Sequence, residues 1–170
     1  MDIAFIILWV LWFILIIFYT FIYLLDVKVQ KLERRIKRRF VSRSDTIPGI
    51  FEISKKYLNK HDEIFKEAVR LRKMELHLNN TNTKLYKIIE IEGLIHHEFN
   101  FIFKVCNKHK ALTEDAKYNY IKEIIIYKSH EIGKNMELYK VIAAKLNKLI
   151  KIKNYTLIGA FIPIEKRVNF

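Results

Sequence analysis

Turn-forming residues are nearly missing from this chain. Only 4 Gly and 2 Pro punctuate 170 residues. That scarcity excludes a meander of short strands with tight turns and leaves a few long helices as the expected build. Cysteine is down to one, Cys106, so no internal disulfide forms and a reducing compartment fits. Acidic residues are outnumbered: 18 Asp and Glu face 31 Lys and Arg, for a formal net charge of +13. Anionic lipid and nucleic acid are therefore the first partners to weigh. The crowding of Ile, Lys, Asn and Tyr is also what an AT-rich genome produces, which lowers the weight of charge alone. No G-x-S-x-G, P-loop or Rossmann glycine pattern occurs, and with so few loops there is little place to build a catalytic site.

What the chain does have is a long apolar run. Ile3 to Leu25 is 23 residues without a charge, bracketed by Asp2 and Asp26. As a helix rising about 1.5 Å per residue it reaches roughly 34 Å, slightly more than a ~30 Å hydrocarbon core. A cleaved signal peptide wants a basic leader, a shorter apolar stretch and a small-residue cleavage site, and the run offers none of these. A buried core helix is the plainer alternative, but a run apolar on every face is unusual in a domain this small. The expectation is one transmembrane helix, with Tyr19 and Tyr23 at interfacial depth and Trp9 and Trp12 deeper. The span holds no glycine, hence no GxxxG dimerisation signal.

Directly after the span come Lys28, Lys31, Arg34, Arg35, Lys37, Arg38, Arg39 and Arg43, against Glu33 alone. By the positive-inside rule the domain that follows is cytoplasmic and the short N-terminus lies outside the cell membrane. Lys28, Lys31, Arg34, Arg35, Lys37, Arg38 and Arg39 are expected to contact anionic headgroups. A nucleic-acid patch is disfavoured, because these charges abut the membrane and no stacking aromatics are interleaved with them.

The remaining 144 of 170 residues suffice for a core. Val29, Leu32, Ile36 and Phe40 keep helical spacing, so the first helix continues past the surface. It breaks at 42–49, where Ser, Asp and Thr precede Pro48, a residue suited to a first helical turn. A second helix is expected over about 47–78, with Ile50, Tyr57, His61, Ile64, Phe65, Ala68 and Leu71 on one stripe. Residues 79–83 read as a loop. A third helix, about 83–107, turns Leu85, Ile88, Ile89, Ile95, Phe99, Ile102 and Cys106 inward. A fourth starts at Thr113, a hydroxyl cap followed by Glu114 and Asp115. It carries Tyr118, Ile121, Ile125, Ile132, Tyr139, Ile142, Leu146 and Leu149, with a kink possible at Gly133. The expected fold is all-α: a transmembrane helix continuing into a long antiparallel up-and-down bundle of about four helices. The expected divisions are 1–26 for the N-terminus and anchor, 27–155 for the bundle, and 156–170 for an apolar, then basic tail.

At the first break a pattern emerges: Arg43-x-Asp45-x-Ile47-Pro48-x-Ile50-x-Glu52-x-x-Lys55-x-Tyr57-x-x-x-His61-x-Glu63. It resembles the signature of the LemA family of bacterial proteins, R-x-D-L-I-P-x-L-x-E-x-x-K-x-Y-x-x-x-H-E. Tyr139 and Asn147-x-x-Ile150 fall where that family repeats Tyr-Asn pairs, and Phe170 falls at its terminal aromatic. The departures are Asp62 after the histidine, Lys140 after Tyr139, the loss of a Phe-Pro near Lys153 and Asn154, and a middle, 75–135, alike in helical pattern only. The chain is similar to a divergent member. The resemblance implies a single span, a bundle of long antiparallel helices, a biochemical role left poorly defined, and a functional interest in Arg43, Asp45, Pro48, Glu52, Tyr57 and His61.

Two functions of different class follow. One is a non-catalytic scaffold or interaction protein at the cytoplasmic face of the membrane, with an unidentified protein partner. The other is a membrane-bound enzyme or accessory subunit using a polar cluster around His61, with Asp45, Glu52 and Tyr57. Against the second, Asp45 reads equally as a helix cap and His61 as a hydrogen-bonding bundle residue. His96, His97 and Glu98 point about 100° apart in turn, unlike i, i+4 metal ligands. Cys106 lies on an apolar stripe and reads as core. No cofactor, metal or catalytic residue is expected, and the scaffold is the favoured reading.

Overall fold

The computed structural model of the chain describes residues 3–80, 83–153, 155 and 164–167. The remaining residues, among them Asp2, Thr81, Asn82, Asn154, most of the 156–170 tail and Phe170, lie outside the described set. Among the described residues every regular element is helical: α1 Ile3–Ser44, α2 Ile47–Ser54, α3 His61–Asn80, α4 Leu85–Cys106, α5 Lys110–Thr113 and α6 Ala116–Lys153. The all-α expectation from the scarcity of Gly and Pro holds.

The chain divides into two compact units. One comprises Met1–Glu33 with Met136–Phe170, the other Arg34–Asn135. This differs from a division at 26 and 155. Both α1 and α6 are long enough to give one portion to each unit.

In the first unit, α1 buries Ile22, Val29 and Leu32 while α6 buries Tyr139, Ile142, Ala143, Leu146 and Ile150. Spacings of three, four and seven residues dominate both sets and make the narrow seam of a paired helix. Two cross-helix links fix the direction. The Tyr139 hydroxyl donates to Glu33 Oε1 at 3.2 Å, and Arg167, held by Asn147, reaches Asp26. Residue numbers rise along α6 as they fall along α1, so the pair is antiparallel. Below this seam α1 is bare, with residues 3–14 exposed throughout. This is the one helix among the described residues long and apolar enough to cross a membrane.

In the second unit, α3 and α4 pack as neighbours, and their short connection makes them an antiparallel hairpin. The core combines Ile47 and Ile50 of α2, Phe65, Ala68 and Leu71 of α3, and Ile95, Phe99, Ile102 and Cys106 of α4. Tyr118 and Ile125 of α6 complete it. Phe51 meets Phe65 edge-on at 5.5 Å between centroids, a favoured aromatic geometry.

Two local expectations are corrected. The single helix over 47–78 is two helices: Ser54 Oγ donates to the Ile50 carbonyl at 2.8 Å, and turn bonds follow from Tyr57 N and Leu58 N to Ser54 O. Lys60 then takes φ 59°, a left-handed residue at the end of this turn, directly before His61 begins the next helix. The α6 cap is Asp115 rather than Thr113. Its Oδ1 accepts from Lys117 N at 2.7 Å and Tyr118 N at 3.2 Å, while the Thr113 hydroxyl turns back to the Lys110 carbonyl. Gly133 lies within α6, which spans Ala116–Lys153.

Candidate functional site

The α4 stripe is not uniformly apolar. Leu85, Ile88, Glu92, Ile95, Phe99, Ile102 and Cys106 are all buried at steps of three or four, and one of them carries a carboxyl. Two other charges occupy stripe positions. Arg43 continues Val29, Leu32, Ile36 and Phe40 on α1, and Glu75 continues Ala68 and Leu71 on α3. Their exposures are 4% for Arg43, 0% for Glu75 and 3% for Glu92. Three stripes converge, so three charges are sealed together.

Their bonding is specific. Arg43 Nη2 pairs with Glu92 Oε2 and also reaches the Glu92 carbonyl oxygen at 3.4 Å, while Nη1 donates to Ser129 Oγ at 3.2 Å. The guanidinium lies 5.9 Å from the Phe99 ring centroid, within cation–π range. Glu75 Oε1 accepts from Asn79 Nδ2 at 3.3 Å. The two carboxyls stand close enough for each to shift the other's titration. Glu75 Oε2 and Glu92 Oε1 are each buried without a hydrogen-bond partner. Two carboxylates beside one guanidinium would leave a net negative charge sealed from water, and one proton held by the pair neutralises it.

Electrostatics agree. Burial pushes Glu92 up to about 8 against the pull of Arg43, with Glu75 adding to the rise. Burial likewise raises Glu75, opposed by neighbouring groups that include the Arg43 guanidinium. Desolvation disfavours the charged acid, and a like charge beside it compounds the effect. The proton belongs to the pair rather than to either residue. Chemically this centre can hold and release one proton.

The residues of the Arg43-to-Glu63 pattern do not gather into one site. Asp45 is exposed and pairs with Arg72 at 3.0 Å. It does not cap α2, whose N-cap is Thr46, and Pro48 occupies the first turn as expected. Glu52 is exposed. Tyr57 lies in the α2–α3 turn rather than on a helical face, and its hydroxyl donates to Asp115 Oδ2 at 2.8 Å. That bond raises the Tyr57 pKa and lowers that of Asp115. His61 rests against the Phe51 ring at 5.0 Å and pairs with the neighbouring Asp62 at 3.0 Å. Only Arg43 enters a buried polar centre, and it does so with Glu75 and Glu92, which the sequence reading passed over. The signal was available: a carboxyl on an otherwise apolar stripe.

The basic segment is also sorted by the fold. Lys28, Lys31, Arg34, Arg35 and Arg38 are exposed. Lys37 instead donates to the Thr83 carbonyl at 2.7 Å, and Arg39 pairs with Glu131 at 2.8 Å. At about 1.5 Å per residue, positions beyond 34 stand more than about 12 Å along α1 from Asp26. That is past the Debye length of ~8 Å, whereas Lys28 and Lys31 lie within it.

The remaining chemical candidates are structural. Burial raises the Cys106 thiol and, more strongly, the adjacent Tyr118 hydroxyl. His96 and His97 are exposed. Among the described residues no group of three or more His, Cys, Asp or Glu is placed to hold a metal.

Comparison with protein-family models, with curated proteins and with solved structures finds no match to this chain.

Proposed function

We propose that this protein is a membrane-anchored, non-catalytic helical scaffold, a divergent relative of the LemA family, held by α1 with its helical units on the cytoplasmic side. The observation that carries the non-catalytic reading is the dispersal of the pattern residues. Asp45 is tied to Arg72, Tyr57 to Asp115, and His61 to Phe51 and Asp62, while Glu52 faces solvent. Side chains serving as ties between elements are poor material for acid–base work on a substrate, which needs a proton-transfer group within reach of one pocket. The kinship is supported by the long-helix build, by a single apolar N-terminal helix, and by Tyr139 and Asn147. Both lie where the family repeats its Tyr-Asn pairs, and both are engaged, with Glu33 and Arg167.

The sidedness is supported by the excess of Lys and Arg after Asp26. Headgroup contact is assigned to Lys28 and Lys31. The test is replacement of the pattern acids and histidine by neutral isosteres, Asp45→Asn, Glu52→Gln and His61→Gln, each introduced into cells lacking the chain. A scaffold keeps its cellular activity in all three, because shape and hydrogen bonding persist. A fully folded but inactive His61→Gln protein contradicts the reading, since an amide cannot titrate.

A further inference from the structure

The bare part of α1 is too short to cross a bilayer alone. Residues 3–14 are exposed throughout, and partial cover begins at Leu15 and continues through Phe18 and Tyr19 to fully buried Ile22. Twelve residues rise about 18 Å, whereas a hydrocarbon core of ~30 Å takes about 20, so the core edge falls near Ile22. The part of α1 that its own unit covers therefore starts inside the membrane.

The register of α6 says which element reaches that depth. Asn147 brackets Arg167, its Nδ2 donating to the Arg167 carbonyl at 2.7 Å and its Oδ1 accepting from Arg167 N at 2.8 Å. The Arg167 guanidinium then binds Asp26 Oδ1 at 2.7 Å. Asn147 thus stands near the level of Asp26, where the uncharged run ends. From there α6 continues antiparallel to α1 for six more residues, about 9 Å, which brings Lys153 near the level of residue 20. Its outer surface suits that depth. Ile152 is 54% exposed and Tyr155 92%, Lys148 and Lys151 flank them on exposed positions, and the sequence from Asn154 to Ile164 carries no charge. Apolar and tyrosyl side chains beside lysines that can snorkel are the composition of a membrane interface.

We propose that the C-terminal turns of α6 are seated in the membrane interface beside α1, so that the protein meets the bilayer with two helices. The partner surface is the lipid interface itself. This rests on the reading of α1 as a span.

The test uses the full chain in phospholipid vesicles with the native Cys106 replaced by Ala. A nitroxide is placed singly at Val10→Cys, Tyr127→Cys, Ile152→Cys or Tyr155→Cys, and its collision rates with oxygen and with a water-soluble nickel chelate are compared. Val10 reports the span and Tyr127, 62% exposed on α6, reports water. The expected result is an oxygen-to-nickel ratio at 152 and 155 several-fold above that at 127 and below that at 10. Ratios at 152 and 155 equal to that at 127, with 10 still lipid-exposed, overturn the second contact alone. A water-like ratio at Val10 overturns the span and the inference with it.

Discussion

Replacing Glu75 by Gln should make the protein more stable at pH 8 and remove part of its pH dependence. The amide keeps the size of a protonated carboxyl and can donate to Glu92, while Glu92 remains a carboxylate paired with Arg43. The sign follows from the proton count. A Glu in the unfolded chain titrates near 4.3, whereas in the folded chain burial raises Glu75 and pushes Glu92 up to about 8. Between those values the folded state binds one proton more than the unfolded. The contribution is therefore complete below the lower value and is lost as pH rises to the upper, at no more than about 1.4 kcal/mol per pH unit. Over pH 5 to 8 the ceiling is about 4 kcal/mol, and a loss on the order of 2–4 kcal/mol is expected in the wild-type chain relative to Glu75→Gln. The assay is urea unfolding of both full-length proteins in the same detergent, followed by circular dichroism at pH 5, 6.5, 8 and 9. Comparing the two proteins cancels every other titrating group. The curves should coincide near pH 5 and diverge toward pH 8. Parallel curves across the range would refute the shared proton.

Three further outcomes follow from particular residues. Arg43→Ala leaves a buried carboxylate without its cation and should cost about 3–5 kcal/mol by the same unfolding measurement; a loss below about 1 kcal/mol would mean the centre is wet. Gly133→Ala should raise the melting temperature through a gain of about 1 kcal/mol, since a Cβ there meets nothing within 4 Å; a fall in melting temperature would reveal strain in α6. Asp115→Ala should lower the melting temperature at pH 7 by removing the α6 cap and the Tyr57 tie. The difference should shrink as the pH falls through the depressed Asp115 pKa, because the contribution of a lowered carboxylate is present above its unfolded value and lost below it.

The helices were legible because burial repeats with their period. All four α1 positions expected beyond the span, Val29, Leu32, Ile36 and Phe40, are buried, and the α4 stripe was misjudged at two positions only: Glu92, which was omitted, and Ile89, which is half-buried. The break at 55–60 was not legible, since it is made by a left-handed Lys60 where no glycine advertises it. The cap at Asp115 was hidden because Thr113, two residues earlier, has equal capping chemistry. The Arg43–Glu75–Glu92 centre was missed for a related reason. Reading each stripe for its apolar members skips the charged residue that shares the same face, and only the convergence of three helices shows that those charges meet. The tie from Arg167 to Asp26 spans 141 residues and has no local signature.

The proposed anchoring by α1 is the central claim, and alkaline carbonate extraction of cell membranes tests it most directly. Carbonate opens vesicles and strips proteins held by surface charge, including any held only by Lys28 and Lys31, but leaves those whose helix is buried in hydrocarbon. The full chain should stay in the membrane pellet and move to the soluble fraction only when detergent is added. Recovery of the full chain in the carbonate supernatant without detergent would contradict the membrane span.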